Sequence, residues 1–358
     1  MKKLFENIDL QLFAADTATH TNVTTDTRSG EYKPTEANGL SAEMKTFYDM
    51  TLIDEASAQL VHDQFGQKRP IPKNGGKTIE FRKFSSLPKA TTPLTEGVTP
   101  VGKRLDVTSQ TATVSQYGDY IQQSDMLELT ALDNTILEAT KLLGRQAGAT
   151  LDTVTRNKLV GGTNVSYCPK VESGAETAVT GRAGLDTTAK LTAKMVQKVV
   201  AKLRGQNAPT IGGKYVAIIH PYVAYDLMRD PEWIEAHKYA DPTKLYEGEI
   251  GELAGVRFVQ TTEAKVWNDS TCPANGSAAH HAVFATLFMG EGAYGVTEVT
   301  GGGLQTIVKQ KGSAGTADPL DQRSTVGWKA TKTAELLIPN YLVRVESCSP
   351  DWDSTAAN

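Results

Sequence analysis

The sequence is short of cysteine, of excess positive charge and of long apolar runs, and each shortage removes a class of function. Cys168, Cys272 and Cys348 are the three cysteines, an odd number with no close pair in sequence. They read as thiols of a reduced intracellular protein rather than a disulfide framework. Lys and Arg number 37 against 41 Asp and Glu, a net charge of -4. Tight sequence-independent nucleic-acid binding needs clustered cations to displace counterions from phosphate, so this balance argues against it, though not against a wall that faces DNA. No stretch approaches the ~20 apolar residues of a membrane span. Lys2 and Lys3 open the chain, but Glu6, Asn7 and Asp9 interrupt what would be a signal-peptide core, so export is not expected.

What is present is the composition of a folded protein, 39% hydrophobic and 22% charged over 358 residues, enough for two lobes on an elongated frame. Residues 14–40 are rich in Thr, Ala, Asp, Asn and Gly and cannot offset their ordering entropy alone, so they read as an arm ordered against neighbours. From Glu43 to Phe65, Met44, Phe47, Tyr48, Leu52, Ala56, Leu60 and Phe65 recur at mostly helical spacing, and Pro70 and Pro72 close that helix. Thr78–Phe84 and Leu105–Tyr117 have strand character. Between them Pro88, Pro93, Gly97, Pro100 and Gly102 punctuate a long connection without a core of its own. A long two-stranded ribbon is the reading, and because isolated ribbons are marginal in water it is expected to lie on a neighbouring subunit.

Residues 131–159 carry the strongest helical periodicity, with Leu132, Ile136, Ala139, Leu143, Ala147, Leu151 and Val154 on one face. Thr130 is the expected cap and Gly161–Gly162 the stop. A shorter helix is expected over Ala189–Arg204. A second lobe comes next, with strands at Tyr215–Ile219, Val256–Thr261, Ala282–Met289, Tyr294–Val299 and Leu304–Lys309, and a helix opened by Pro221. Residues 324–347 form a strand-rich tail that Pro339 bends. No internal repeat is evident.

The chemical motifs weigh towards structure. Gly290-Glu291-Gly292-Ala293-Tyr294-Gly295 has the letters of a dinucleotide fingerprint, but the strand-like Val296–Val299 stands where a helix is required. Asn74–Thr78 ends like a phosphate loop, yet Ile71 occupies the first glycine position and a strand comes after it. His280 and His281 are adjacent and would point to opposite faces of a strand, and Cys272 does not complete a zinc spacing. His220 sits between a strand and a helix without a partnered nucleophile. Asp318, Asp321 and Arg323 read as a loop charge cluster, and Trp233, Trp267 and Trp328 as core or interface anchors. No set of residues qualifies as catalytic, cofactor-binding or metal-ligating, and no cofactor is expected.

Arm, helix, ribbon, long helix, second lobe and returning strands, in that order, resemble the α+β Hong Kong 97-type capsid fold of tailed phages. Ile8-Asp9-Leu10-Gln11-Leu12-Phe13-Ala14 is similar to head-protein starts in phages of Gram-positive hosts. The strings YVAIIHPYVAYDLMRDPEW from Tyr215, GEIGELAGVRFVQT from Gly248 and DQRSTVGWKATKTAELLIPNYLVRVES from Asp321 resemble the N-four-like branch of major capsid proteins. The resemblance implies an N-arm over 1–42, a helix over 43–72, an E-loop ribbon over 73–122 and a P-domain over 123–210 with its spine helix. It further implies an A-domain over 211–322 and returning P-domain strands with the C-terminal tail over 323–358. It implies self-assembly as hexamers and pentamers into an icosahedral head enclosing double-stranded DNA, with no sequence-specific DNA contact and no membrane. Scaffolding and portal proteins are the implied partners, with decoration proteins a further option, and assembly in the host bacterial cytoplasm would precede residence in the virion capsid. Two rival readings remain: a cellular compartment shell of the same fold, which neighbouring cargo-enzyme genes would reveal, and a nucleotide-dependent enzyme resting on Gly290–Gly295.

Overall fold

The computed structural model describes residues 50–56, 60–84, 87, 89–94, 96–99, 102–130, 135–172, 175–237, 251–275, 279–313 and 318–358. The expected arm, the start of the first helix and residues 131–134 of the spine lie outside them. After a helical segment at 50–56 come β1 (Gln67–Lys68), β2 (Thr78–Phe84), β3 (Val107–Thr113), β4 (Ser115–Ser124), α1 (Asp125–Thr130) and α2 (Thr135–Val160). Next are β5 (Val165–Tyr167), β6 (Lys170–Glu172), β7 (Ala175–Thr177), α3 (Ala193–Gly205), β8 (Tyr215–Ile219), α4 (Pro221–Met228) and α5 (Pro231–His237). The chain finishes with β9 (Glu252–Leu253), β10 (Val256–Gln260), β11 (Val266–Trp267), β12 (Ala274–Asn275), β13 (Ala279–His280), β14 (Val283–Met289), β15 (Tyr294–Thr297), β16 (Gln305–Lys309), β17 (Arg323–Leu336) and β18 (Leu342–Cys348).

Two sheets organise these elements. A seven-stranded sheet runs β5-β18-β14-β8-β10-β9, with β11 also on β14. Its centre, β14, is buried at every position and pairs antiparallel with both β8 and β18. Phe284, Phe288, Ile219, Leu203, Val199 and Trp233 belong to the largest apolar cluster, which α3 seals from one side. The five-stranded sheet is built on β17, which pairs with β15 and β16 in succession and with β4 along Arg323–Lys332. Val326, Trp328 and Ala330 of β17 pack against Leu143, Ala147 and Leu151 of α2 and against Leu52. The spine helix therefore does what its periodicity requires, and its 26 residues span about 39 Å at ~1.5 Å each. Its close fit to the 50–56 helix depends on Gly144, where an added Cβ would meet Leu52 O at 2.9 Å.

Four expectations are corrected. The first helix does not continue to Phe65: residues 62–65 form turns, because Val61 N and His62 N donate to Asp152 Oδ1 (2.9 and 2.7 Å) rather than to a preceding helical turn. Thr130 does not cap the spine; it ends α1, and its hydroxyl donates back to Met126 O at 2.7 Å. The strand-like run Leu105–Tyr117 is two strands that part at the buried Val114, β3 pairing with β2 and β4 with β17. The helix expected from Ala189 starts at Ala193, because Thr192 caps it by accepting from Met195 N at 3.3 Å. Pro339 marks the expected bend, opening a 3-10 turn between β17 and β18.

Candidate functional site: the assembly surfaces

The β2–β3 pair is a two-stranded antiparallel ribbon. Among its described side chains Phe81 and Ala112 are buried, and Phe81 lies over Gly295 of β15. Six of seven β3 residues are exposed, as are Leu87, Leu94, Val98 and Leu105 in the connection, Leu94 at 78%. Apolar side chains in that number on a projecting element are unfavourable in water and mark a contact surface. A second exposed apolar group, Met126, Leu127 and Leu129, sits on α1. Gln123 donates to Thr135 at 2.5 Å and Gln146 to Asp119 at 2.6 Å, so β4 runs antiparallel to α2 along one flank. On the face of the β17 sheet turned away from α2, Tyr120, Gln122, Thr325, Gly327, Ile307 and Lys309 line a concavity of about 630 Å³.

A buried polar cluster ties segment 61–63 to the spine helix and to the β17 sheet. His62 Nδ1 lies 2.6 Å from Asp152 Oδ2, Thr155 Oγ1 donates to Asp63 Oδ1 at 2.6 Å, Lys332 Nζ contacts Asp63 Oδ2, and Tyr294 OH donates to His62 O. Segment 61–63, helix α2, β15 and β17 meet here. Burial pushes the Lys332 ammonium down to about 7, while the Asp63 carboxylate beside it favours the charged form. Sequence reasoning missed this cluster. Its signal was available: Asp152, Thr155 and Arg156 fall on the spine's buried face among Leu151 and Leu159. A second such site is Glu346, fully buried and gripped by Arg182 through two 2.8 Å bonds, with the Arg182 guanidinium 3.6 Å from the Trp267 ring centroid.

The chemical motifs of the sequence occupy structural positions. Residues 290–293 form the turn between β14 and β15, and Tyr294 and Gly295 open β15; a Cβ at Gly290 would meet Pro209 O at 2.5 Å, and Gly292 has φ +71°. The glycines thus serve a close approach and a left-handed turn that leads into a strand. Asn74–Thr78 forms the ribbon root, with Asn74 and Gly76 at positive φ. His220 caps α4 by accepting from Tyr222 N at 3.2 Å, and burial drives its pKa down to about 4. His281 Nδ1 lies 3.2 Å from Asp353 and His280 belongs to the neighbouring strand β13, so the two histidines do not converge. Asp318 accepts from Arg323 N at 2.8 Å, fixing the entry to β17. Trp233 and Trp328 are buried in separate clusters. Cys168, Cys272 and Cys348, distant in sequence, join one core cluster as free thiols, and burial pushes Cys348 up to about 12.

A thin frame with one long helix, a projecting ribbon and two sheets has the architecture of phage head subunits. It is similar to the capsid of Ralstonia phage GP4, with a TM-score of 0.64 and 13% identity over 96% of this chain and 100% of that one. It is similar also to the capsid of the cyanophage P-SCSP1u (TM-score 0.61, 14% identity, 80% and 87% covered) and to that of the cyanophage Pam1 (0.59, 15%, 93% and 99%). No curated protein sequence matches. The phage capsid protein family matches residues 37–316. The chain belongs to that family, and it has the Hong Kong 97-type fold that the order of its elements resembled. It is a major capsid protein: its copies assemble into the shell of a phage head and reside in the virion capsid.

Proposed function

We propose that the subunit tiles an icosahedral tailed-phage head as hexamers and pentamers around double-stranded DNA, within the N-four-like branch of the family, and performs no catalysis. The observation that carries this is the ribbon of β2 and β3 with its connection, in which Leu87, Leu94, Val98, Leu105 and Val107 are exposed. Repeated head-to-tail contacts around five-fold and quasi-six-fold axes close a shell and multiply each modest contact by copy number. In this reading residues 73–122 are the E-loop, 123–210 and 323–358 the P-domain with the tail, and 211–322 the A-domain, with 1–42 as the arm and 43–72 as the first helix. A scaffolding protein directs assembly in the host cytoplasm, a portal occupies one vertex, and the mildly acidic subunit holds DNA without reading sequence. Deleting residues 86–101 should leave subunit melting unchanged and abolish particles in negative-stain micrographs of chains co-expressed with their scaffold. Wild-type-like particles from that deletion sink the ribbon's role. Calorimetric titration of subunits with NAD and ATP should give no saturable heat; a micromolar site at residues 290–295 reverses the non-enzymatic reading.

A further inference from the structure

The alternate positions Val326, Trp328, Ala330, Lys332 and Ala334 of β17 are all buried, and the first three pack with the spine helix. Four of these residues suit a core. The lysine does not, because a buried ammonium forfeits its hydration. Its Nζ contacts Asp63 Oδ2, and the two side chains are 7% and 13% exposed. In the other lysine–carboxylate pairs of the described residues the lysine is at least 29% exposed, so this pair alone is shut away from solvent. Around it His62, Asp152, Thr155 and Tyr294 are buried, and Thr155 Oγ1 donates to Asp63 Oδ1 at 2.6 Å. Glu346 with Arg182 is the nearest counterpart, but a guanidinium does not give up its proton. A lysine does, and burial lowers Lys332 to about 7, which makes the free amine accessible at neutral pH.

We propose that Lys332 and Asp63 of the same chain are joined by an isopeptide bond, formed once in each subunit after it folds. The step uses only the two side chains, already held in contact by the fold. One proton passes from Nζ to Oδ2, turning ammonium and carboxylate into amine and carboxylic acid. Nζ then attacks Cγ, and Oδ1 takes the negative charge where the Thr155 hydroxyl already donates. A second proton moves from the nitrogen to the Oδ2 hydroxyl, the carbonyl reforms, and water leaves. No oxidant, metal or second protein enters the balance. In water the hydration of the two ions opposes this condensation. Burial removes that hydration, so the interior favours the amide, which carries no charge. Each chain reacts once and nothing turns over, and the shell reading above does not depend on the bond. Its effect is mechanical: it ties segment 61–63, next to the spine helix, to a strand 269 residues further along the chain.

The test is mass spectrometry of the full chain, purified folded and then denatured. A protease digest of the wild type should contain a branched peptide joining the segments around Asp63 and Lys332, lighter by one water than the two segments together. Tandem fragmentation should place the junction at those two side chains. Lys332→Arg keeps the positive charge but cannot condense, so its digest should hold the two segments separately and at full mass. On a denaturing gel the wild-type chain, closed into a loop, should run ahead of that variant. Separate, unmodified peptides from the folded wild type overturn the proposal, and so does a lost water that maps to any other residue while those two peptides stay free. The wild-type digest decides the matter even where the variant fails to fold. Particle formation is read separately in micrographs, so an unlinked chain that still assembles sinks the bond and leaves the shell reading intact.

Discussion

Strands β14 and β4 lie in one subunit and obey opposite rules. β14 reads VFATLFM and is buried at all seven positions between two partners; β4 reads SQYGDYIQQS, has one buried residue and, among the described residues, pairs on one side only. The first strand is what makes a single copy fold. The second contributes less to that folding, and one of its edges meets no other strand among the described residues. A shell protein has to divide its surface this way, since residues that would complete a core in a monomer must wait for another copy.

Substitutions should separate the two regions by size of effect. The largest is Phe288→Asp in β14, which places an unpaired charge at a fully buried site and should leave no soluble folded subunit by circular dichroism. Leu143→Asp, on the buried face of α2, should do the same, and soluble assembling protein would show that the wrong face of the spine had been assigned. Next comes the buried polar cluster around Asp63: Lys332→Met strands the Asp63 carboxylate in the interior and should cost about 3–5 kcal/mol in urea unfolding, while adding Asp63→Leu should recover much of it. The pH response of the second lobe is smaller. His220 has its folded pKa depressed from 6.5 to about 4, so the unfolded chain binds more protons between those values. Stability is complete above pH 6.5 and falls as pH drops towards 4, by no more than about 3 kcal/mol. His220→Asn keeps a capping side chain and should flatten that slope. Smaller still is Thr192→Ala at the start of α3, expected to cost about 1 kcal/mol with assembly unchanged. Tyr120→Ser on β4 closes the series and should leave subunit melting within ~0.5 kcal/mol, because its ring is 65% exposed.

Periodicity made the spine helix legible: Leu143, Ala147 and Leu151 are buried where the 3.6-residue repeat puts them. The same reasoning overran at Leu60 and Phe65, since apolar spacing cannot register that Asp152, some ninety residues away, offers the backbone of Val61 and His62 a better acceptor. The glycine-rich turn at Gly290 was legible from the strand-forming residues on its C-terminal side, because a strand cannot present the amide cluster of a helix start. Val114 was not legible as a boundary, for it is itself a strand former within an unbroken run, and what separates β3 from β4 is the change of partner from β2 to β17.

By itself the sequence determined the kinds of element and their order: the period of apolar residues, the proline and glycine stops, and the Thr and Val content of the ribbon are local properties, written within a few residues of where they act. The tertiary structure alone decided which strand edges are paired and which are free. It also brought Asp63 to Lys332 across 269 residues, and Cys168, Cys272 and Cys348 into one core. Those outcomes depend on pairing and packing between distant segments, where the free energy lies in the contact and not in either segment.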